Sequence, residues 1–333
     1  MAPPRKLAVI GSNAFSAAYF IKVALEQGWD VVGISRSKEV AEPYRPYAWE
    51  PEKHEGSLRF VQAHLADDTD SILDVIKAEK IPYVVNFASL GMVAESWQYP
   101  KDYYVTNVVG NVALHEGLRQ FDFLETYLHV STPEVYGHTE GDVKEDCGFN
   151  PSTPYAASRA ACDLHLQTFF ARYKFPVIYT RAANVFGPGQ QPYRIIPRAI
   201  LCDRLSDTLH LHGGGVSVRS FIHIRDVSVG TLLLLEKGIH GEAYHLSTDR
   251  YVSIRNLVEL IYQRMGADFA ARVEVSPERP GKDPAYYLNS EKLSALGWSP
   301  GMSLEDGLDE TIAWIDRFLP AIRDLPLGYN HAR

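Results

Sequence analysis

Along the chain, short apolar runs alternate with longer stretches whose apolar positions recur three and four residues apart. Leu7–Ile10, Val31–Ile34, Leu58–Val61, Tyr83–Ala88, Thr126–Ser131 and Val177–Arg181 are runs of the first kind. They are continuous and do not alternate in polarity, as expected of strands buried on both faces. Phe15–Glu26, Asp70–Glu79, Asp102–Gln120 and Ala156–Tyr173 have helical spacing. Strand and helix in regular succession, joined by long crossovers, predict a parallel, doubly wound α/β sheet.

From about Asn184 the texture changes. Glycine and proline cluster at Gly187-Pro188-Gly189 and Gly213-Gly214-Gly215. Short strand patterns (Leu209–His212, Val216–His223, Glu242–Leu246) mix with helical ones (Val227–Glu236, Ile254–Met265, Leu304–Phe318). Ser303, with Asp306 three residues on, marks the start of the last helix. Two units are expected: residues 1–183 as the doubly wound domain and 184–330 as a smaller α+β domain, with a return to the first around 220–250.

Composition narrows the function classes. Lys and Arg number 33 against 41 Asp and Glu, a formal charge of −8. That balance argues against a general nucleic-acid or membrane-surface binder. Cys147, Cys162 and Cys202 are too few and too scattered for a disulfide framework or a cysteine zinc site. The histidines show no ligand spacing, so no metal is expected. No secretory leader pattern opens the chain, and no apolar run approaches the ~20 residues of a membrane span. A cytoplasmic protein is the expectation.

The first strand runs into Gly11-Ser12-Asn13-Ala14-Phe15-Ser16-Ala17 and then a helix. A strand–turn–helix with glycine at the turn presents backbone N–H groups and the positive helix end to a pyrophosphate. Two of the three glycines usual in such a turn are alanines here, which requires ordinary φ at those positions. The second strand ends in Ser35-Arg36-Ser37, with no acidic residue to accept from a ribose 2′-hydroxyl. Arg36 between two serines suits a 2′-phosphate, which favours NADP, with NAD as the alternative.

The fifth strand ends in Ser131-Thr132-Pro133-Glu134-Val135-Tyr136-Gly137. Tyr155 and Arg159 follow at the start of a helix, four residues apart and therefore on one face. A cation beside a phenol lowers its pKa, and the pair predicts a base usable near neutral pH. Asn184-Val185-Phe186-Gly187-Pro188 closes the sixth strand.

Together these segments resemble the extended short-chain dehydrogenase/reductase superfamily, and within it the nucleotide-sugar 4,6-dehydratases of the dTDP-glucose and GDP-mannose type. The likeness spans nearly the whole chain. It includes Val85-Asn86-Phe87-Ala88-Ser89, Thr106-Asn107-Val108-Val109-Gly110 and Arg219-Ser220-Phe221-Ile222-His223-Ile224-Arg225-Asp226-Val227. It closes with Arg279-Pro280-Gly281-Lys282-Asp283 and Leu296-Gly297-Trp298-Ser299-Pro300.

The resemblance implies a Rossmann-type domain holding a tightly bound NADP, or NAD, that each turnover regenerates. Its cofactor residues are Gly11, Asn13, Ala14, Phe15, Ser16, Ser35, Arg36, Ser37, Leu65, Phe87, Ala88, Ser89, Asn107, Tyr155, Arg159 and Ala182. Tyr155 looks like the phenol that takes the sugar C4-hydroxyl proton, Thr132 like its hydrogen-bonding neighbour, and Glu134 like the base at C5. Asn184, Arg194, Arg219 and Arg279 resemble contacts to a nucleoside-diphosphate sugar, and Thr132 touches its sugar.

Two positions depart from the pattern. Pro133 stands where the family has an acid, so Glu134 is expected to relay the C5 proton to the departing C6 hydroxyl. Arg159 stands where the superfamily has Lys, and the two are not interchangeable at a tight site. Decarboxylation of a UDP-glucuronate and C4 epimerisation remain alternatives within enzymes. A cofactor- or nucleotide-sugar-binding protein without turnover is the alternative outside them. Likeness to these enzymes also implies a homodimer through the helices near 102–120 and 156–173.

Overall fold

The computed structural model describes residues 5–139, 141–277 and 287–329. The order begins β1 (Lys6–Ile10), α1 (Phe15–Glu26), β2 (Asp30–Ser35), β3 (Leu58–Gln62), α2 (Thr69–Ala78) and β4 (Tyr83–Asn86). Short α3 (Val93–Ser96) and α4 (Pro100–Tyr104) lead to α5 (Asn111–Leu118), β5 (Thr126–Val130), β6 (Asp142–Val143), α6 (Pro154–Tyr173) and β7 (Val177–Ala182). Then come β8 (Asn184–Phe186), α7 (Ile195–Arg204), β9 (Leu209–His212), β10 (Val218–His223), α8 (Ile224–Lys237) and β11 (Ala243–Leu246). The chain closes with β12 (Tyr251–Ser253), α9 (Ile254–Met265), α10 (Phe269–Arg272), β13 (Val273–Ser276), β14 (Tyr287–Leu288), α11 (Glu291–Ser294) and α12 (Leu304–Ile322).

Seven strands form one parallel sheet in the order β11-β7-β5-β4-β1-β2-β3. The chain runs outward from β1 to β3, then restarts on the other side of β1 with β4. That reversal opens a crevice beyond the carboxyl ends of β1 and β4, where ligands of such sheets bind. The register aligns Ile10 with Asn86, and Asn86 with His129, so three strand ends lie side by side. One apolar core, including Ala17–Ile21 and Val23–Leu25 of α1 and Leu232, Leu234 and Leu235 of α8, covers one face of the sheet. Another, drawing on α2, α5 and α6, covers the other. A third core unites α7, β9, α9 and α12 beside the small β8-β10-β12 sheet.

Two expectations are corrected. Leu58–Val61 was expected to be buried on both faces, yet Arg59 and Gln62 are exposed, because β3 is the outer strand. The single helix expected over Asp102–Gln120 is interrupted between α4 and α5 by a wide π turn at Val105–Gly110. The reason is Asn107, which is fully buried inside that turn. Its Oδ1 accepts from Leu90 N (2.8 Å), and its Nδ2 donates to Leu90 O (3.0 Å) and Ser158 Oγ (3.0 Å). Drawing that side chain inward widens the ladder, as π turns at functional sites do. Among the described residues, no helix is long and apolar enough to cross a membrane.

Candidate active site

A cleft of about 1060 Å³ follows the carboxyl ends of the sheet strands and continues between the sheet and the β8–β10 region. Single-ligand pockets occupy ~300–1,000 Å³, so this one has room for two elongated ligands.

The dinucleotide half is built on the first turn. Gly11 has φ +82°, and a Cβ there would lie 2.7 Å from Ala88 N. Both the backbone angle and the close approach to the β4 loop require glycine. Ala14 has φ −71° and ψ 146°, ordinary values that a side chain tolerates. It caps α1 without a side-chain acceptor, and the first turn holds no acidic residue. The helix start therefore retains N–H groups for an anion. Asn13 Nδ2 donates to Ser37 Oγ (3.0 Å) and Lys38 O (2.8 Å), tying the turn to the end of β2. Arg36 is exposed at this lip, and Ser35 is buried beneath it. Buried Ser12 Oγ and Asn13 Oδ1 have no partner within the protein. These donors and orphan atoms fit a dinucleotide.

Gly11, Asn13, Ala14, Phe15, Ser16, Ser35, Arg36, Ser37, Leu65, Phe87, Ala88, Ser89, Tyr155, Arg159 and Ala182 all line the cleft. Asn107 does not. The expectation that it holds the cofactor is corrected: its amide is consumed by Leu90 and Ser158, so it braces the β4 loop from beneath.

The catalytic wall comes from the end of β5 and the start of α6. Thr153 Oγ1 accepts from Ala156 N (3.1 Å), and Pro154 occupies the first helical position. This start signal sets Tyr155 in the first turn, facing the cleft. Pro133 likewise opens a 3-10 turn, Pro133–Tyr136, capped by Thr132 Oγ1, which accepts from Glu134 N (3.3 Å). Thr132 also hydrogen-bonds the Tyr155 phenol. Glu134 is half-buried beside them.

Burial pushes the Tyr155 phenol up to about 12, and Glu134 adds to the rise. Arg159, the Thr132 hydroxyl and Arg194 oppose it without prevailing. This corrects the expectation of a phenol lowered by the neighbouring Arg159. The cation is present, but desolvation outweighs it. Arg159 itself is 1% exposed, and its Nη2 donates to Val130 O and to His129 Nε2 (3.1 Å). That nitrogen is directed into the floor.

At the other end, Asn184, Arg194 and Arg219 line the cleft. Asn184 Nδ2 donates to Ser220 O (3.1 Å), which fixes β8 against β10. Arg194 caps α7 and is exposed. Arg279 lies outside the described residues. Sequence reasoning missed Tyr193, Tyr329 and Gln190, which also line the cleft, and the buried polar floor formed by His129, Asp163 and Arg181. The only sequence signal for that floor is Tyr127 and His129, two polar groups on one face of an otherwise apolar strand.

Comparison with known proteins agrees with this geometry. Residues 9–311 match the profile of the family described as GDP-mannose 4,6 dehydratase. A dTDP-D-glucose 4,6-dehydratase of Mus musculus is 32% identical over 271 residues, 80% of this chain and 76% of that protein. A trifunctional UDP-glucose 4,6-dehydratase/UDP-4-keto-6-deoxy-D-glucose 3,5-epimerase/UDP-4-keto-L-rhamnose-reductase of Arabidopsis thaliana is 31% identical over 268 residues. That alignment covers 79% of this chain and 40% of the longer relative. Among solved structures, the dTDP-glucose 4,6-dehydratase DesIV of Streptomyces venezuelae, with NAD and TYD bound, superposes with a TM-score of 0.85. It is 28% identical, with 97% of this chain and 100% of that one covered. The sheet order, the glycine turn and the Thr132–Glu134–Tyr155 wall thus accompany a match over most of the sequence, and the chain belongs to the family described as GDP-mannose 4,6 dehydratase.

Proposed function

We propose that the cleft dehydrates a nucleoside-diphosphate sugar across C5 and C6, using an NADP or NAD retained between turnovers. The observation that carries this reading is the convergence of Tyr155, Thr132, Glu134 and Arg159 on the wall of the cleft that also holds the Gly11 turn. The dinucleotide, when bound, supplies the acceptor that takes hydride from C4 and returns it to C6. Tyr155 takes the C4-hydroxyl proton while Thr132 hydrogen-bonds the phenol. The resulting ketone acidifies the neighbouring C5–H, so the Glu134 carboxylate suffices as its base. Pro133 has no proton to give, and Glu134 passes the one it has gained to the departing C6 hydroxyl, which leaves as water. Tyr155 then gives up the proton it took from the C4 hydroxyl and C5 gains one, so Tyr155 and Glu134 both end in their starting states.

The test is incubation with UDP-, dTDP-, GDP- and CDP-sugars, followed by mass. Loss of water is the expected result. Loss of carbon dioxide from a glucuronate, or a C4 isomer of unchanged mass, would replace this reading with decarboxylation or epimerisation. Glu134→Gln is expected to reduce the cofactor on mixing, seen by absorbance, yet to incorporate no solvent deuterium at C5.

A homodimer through residues 102–120 and 156–173 belongs to the same reading. Tyr104, Val105 and Val109 on the first segment and Leu164 on the second are exposed large apolar side chains, which supports it. Leu164→Glu is expected to halve the mass measured by sedimentation; an unchanged mass would remove this surface from consideration.

A further inference from the structure

Beneath Tyr155 lies a chain of hydrogen bonds whose direction is forced at every link. Arg159 donates from Nη2 to His129 Nε2 (3.1 Å). Arginine has no lone pair and keeps its proton, so Nε2 must carry the lone pair and Nδ1 the hydrogen. His129 Nδ1 faces Tyr127 Oη (3.4 Å), which also accepts from Asn86 Nδ2 (2.8 Å). With two donors upon it, that hydroxyl gives its own hydrogen to His115 Nε2 (2.9 Å). Asn86 Nδ2 also donates to Asn111 Oδ1 (2.6 Å), and its Oδ1 accepts from Ala88 N (2.9 Å), fixing the β4 loop. Tyr127, His129, Asn86, Asn111 and His115 are each no more than 1% exposed.

Another acceptor competes for His129. Asp163 Oδ1 lies 3.5 Å from Nε2 and has no hydrogen-bond partner, while its Oδ2 accepts from Ser131 Oγ (2.7 Å) and Arg181 Nη2 (2.9 Å). A hydrogen on Nε2 would serve Asp163, but it would face the Arg159 N–H groups. His115, His129 and Cys162 also bring ligand atoms within 4.8 Å of one another. Both Nε2 lone pairs are already engaged and a guanidinium adjoins them, so this group is not a cation site.

We propose that His129 is the positioning residue for Arg159: its Nε2 lone pair, held in place by the Tyr127–Asn86–His115 chain, anchors one end of the guanidinium and so sets the cation beside Tyr155. The inference rests on the reading of Arg159 as that cation. Arginine is longer than lysine, and its fork needs a second acceptor beyond Val130 O to lie in the floor instead of across the cleft. Arg159 Nε has no partner and the side chain lines the cleft, so the anchored nitrogen is the one facing away from the chemistry. Burial, reinforced by Arg159, holds the His129 imidazolium pKa well below its ordinary value, consistent with a neutral acceptor.

Two measurements test this, and the first needs no substrate. Imidazole ¹⁵N spectra, with His129 assigned through His129→Gln, are expected to show the Nδ1–H tautomer in the wild type. In Arg159→Met the hydrogen is expected to move to Nε2, towards Asp163. An Nε2–H tautomer in the wild type overturns the proposal. The second is a double-mutant cycle on turnover of whichever sugar nucleotide the panel identifies. His129→Leu, without an acceptor, is expected to lower kcat about 10- to 100-fold with KM within about 2-fold, and His129→Gln to retain kcat within about 5-fold. In an Arg159→Lys background, His129→Leu is expected to cost less than about 3-fold. Losses that multiply independently overturn the proposal. Should His129→Leu not fold, the spectra and the His129→Gln/Arg159→Lys pair still decide. Should no sugar nucleotide turn over, the functional reading fails while the spectra still judge the positioning role.

Discussion

The floor of the cleft and its outer rim handle charge in opposite ways. In the floor, Arg159, Asp163, Arg181 and His129 are at most 2% exposed, and each is hydrogen-bonded to another buried group. At the rim, Arg36 and Arg194 stand exposed, and His210 and His212 point outward from β9. Water screens the rim charges until a ligand displaces it, whereas the floor acts in a low dielectric throughout. The floor is thus oriented before any substrate arrives, as electrostatic catalysis requires. Under the proposed function the rim would contribute binding, and substitutions there should leave the fold intact.

The largest expected effect separates the two at once. Tyr155→Phe should reduce kcat by about 10³-fold while the bound dinucleotide is retained, measured by turnover and by the absorbance of released cofactor. Because burial holds the phenol at about 12, kcat/KM of the wild type should keep climbing beyond about pH 8. A flat profile from neutral pH upward would mean that the base is another group. Next, Asp163→Asn leaves the buried Arg181 guanidinium uncompensated, and should lower stability by about 3–5 kcal/mol in urea unfolding. Arg219→Ala, at the rim, should raise KM about 10- to 30-fold, with kcat and the urea midpoint nearly unchanged. If the two substitutions had the same effect on unfolding, the contrast between floor and rim would collapse.

The last expected effect is an acid dependence of stability. Burial, then Arg225, lowers His223 to about 4; burial, then Arg181, lowers His245 to about 3. Below the ordinary histidine range the unfolded chain binds protons that these buried rings refuse, so stability is full above about pH 6.5 and falls from there towards pH 3–4. Urea midpoints that stay level down to pH 4 would refute this.

Much of the fold was legible because its cause is local. Apolar runs bounded by turns placed β1, β2, β5 and β7 within a residue or two, helical spacing did the same for α6, and Ser303 with Asp306 placed the start of α12. The cleft residues could be read because their segments sit at strand ends, and a doubly wound sheet gathers those ends on one edge. Asn107 was misread because its motif lies on a helix, and nothing local says that the amide turns inward to Leu90. The half-exposed β3 was misread because edge and central strands differ only in what lies beside them.

The sequence by itself determined the alternation of strand and helix and the glycine turn, since each follows from neighbours a few positions apart, and it named the candidates for chemistry. Only the tertiary structure decided how those residues behave. Arg159 and His129 are 30 residues apart, and their hydrogen bond exists because α6 packs across β5. The phenol of Tyr155 is pushed up because the assembled cleft removes water from it, a field set by many distant groups together.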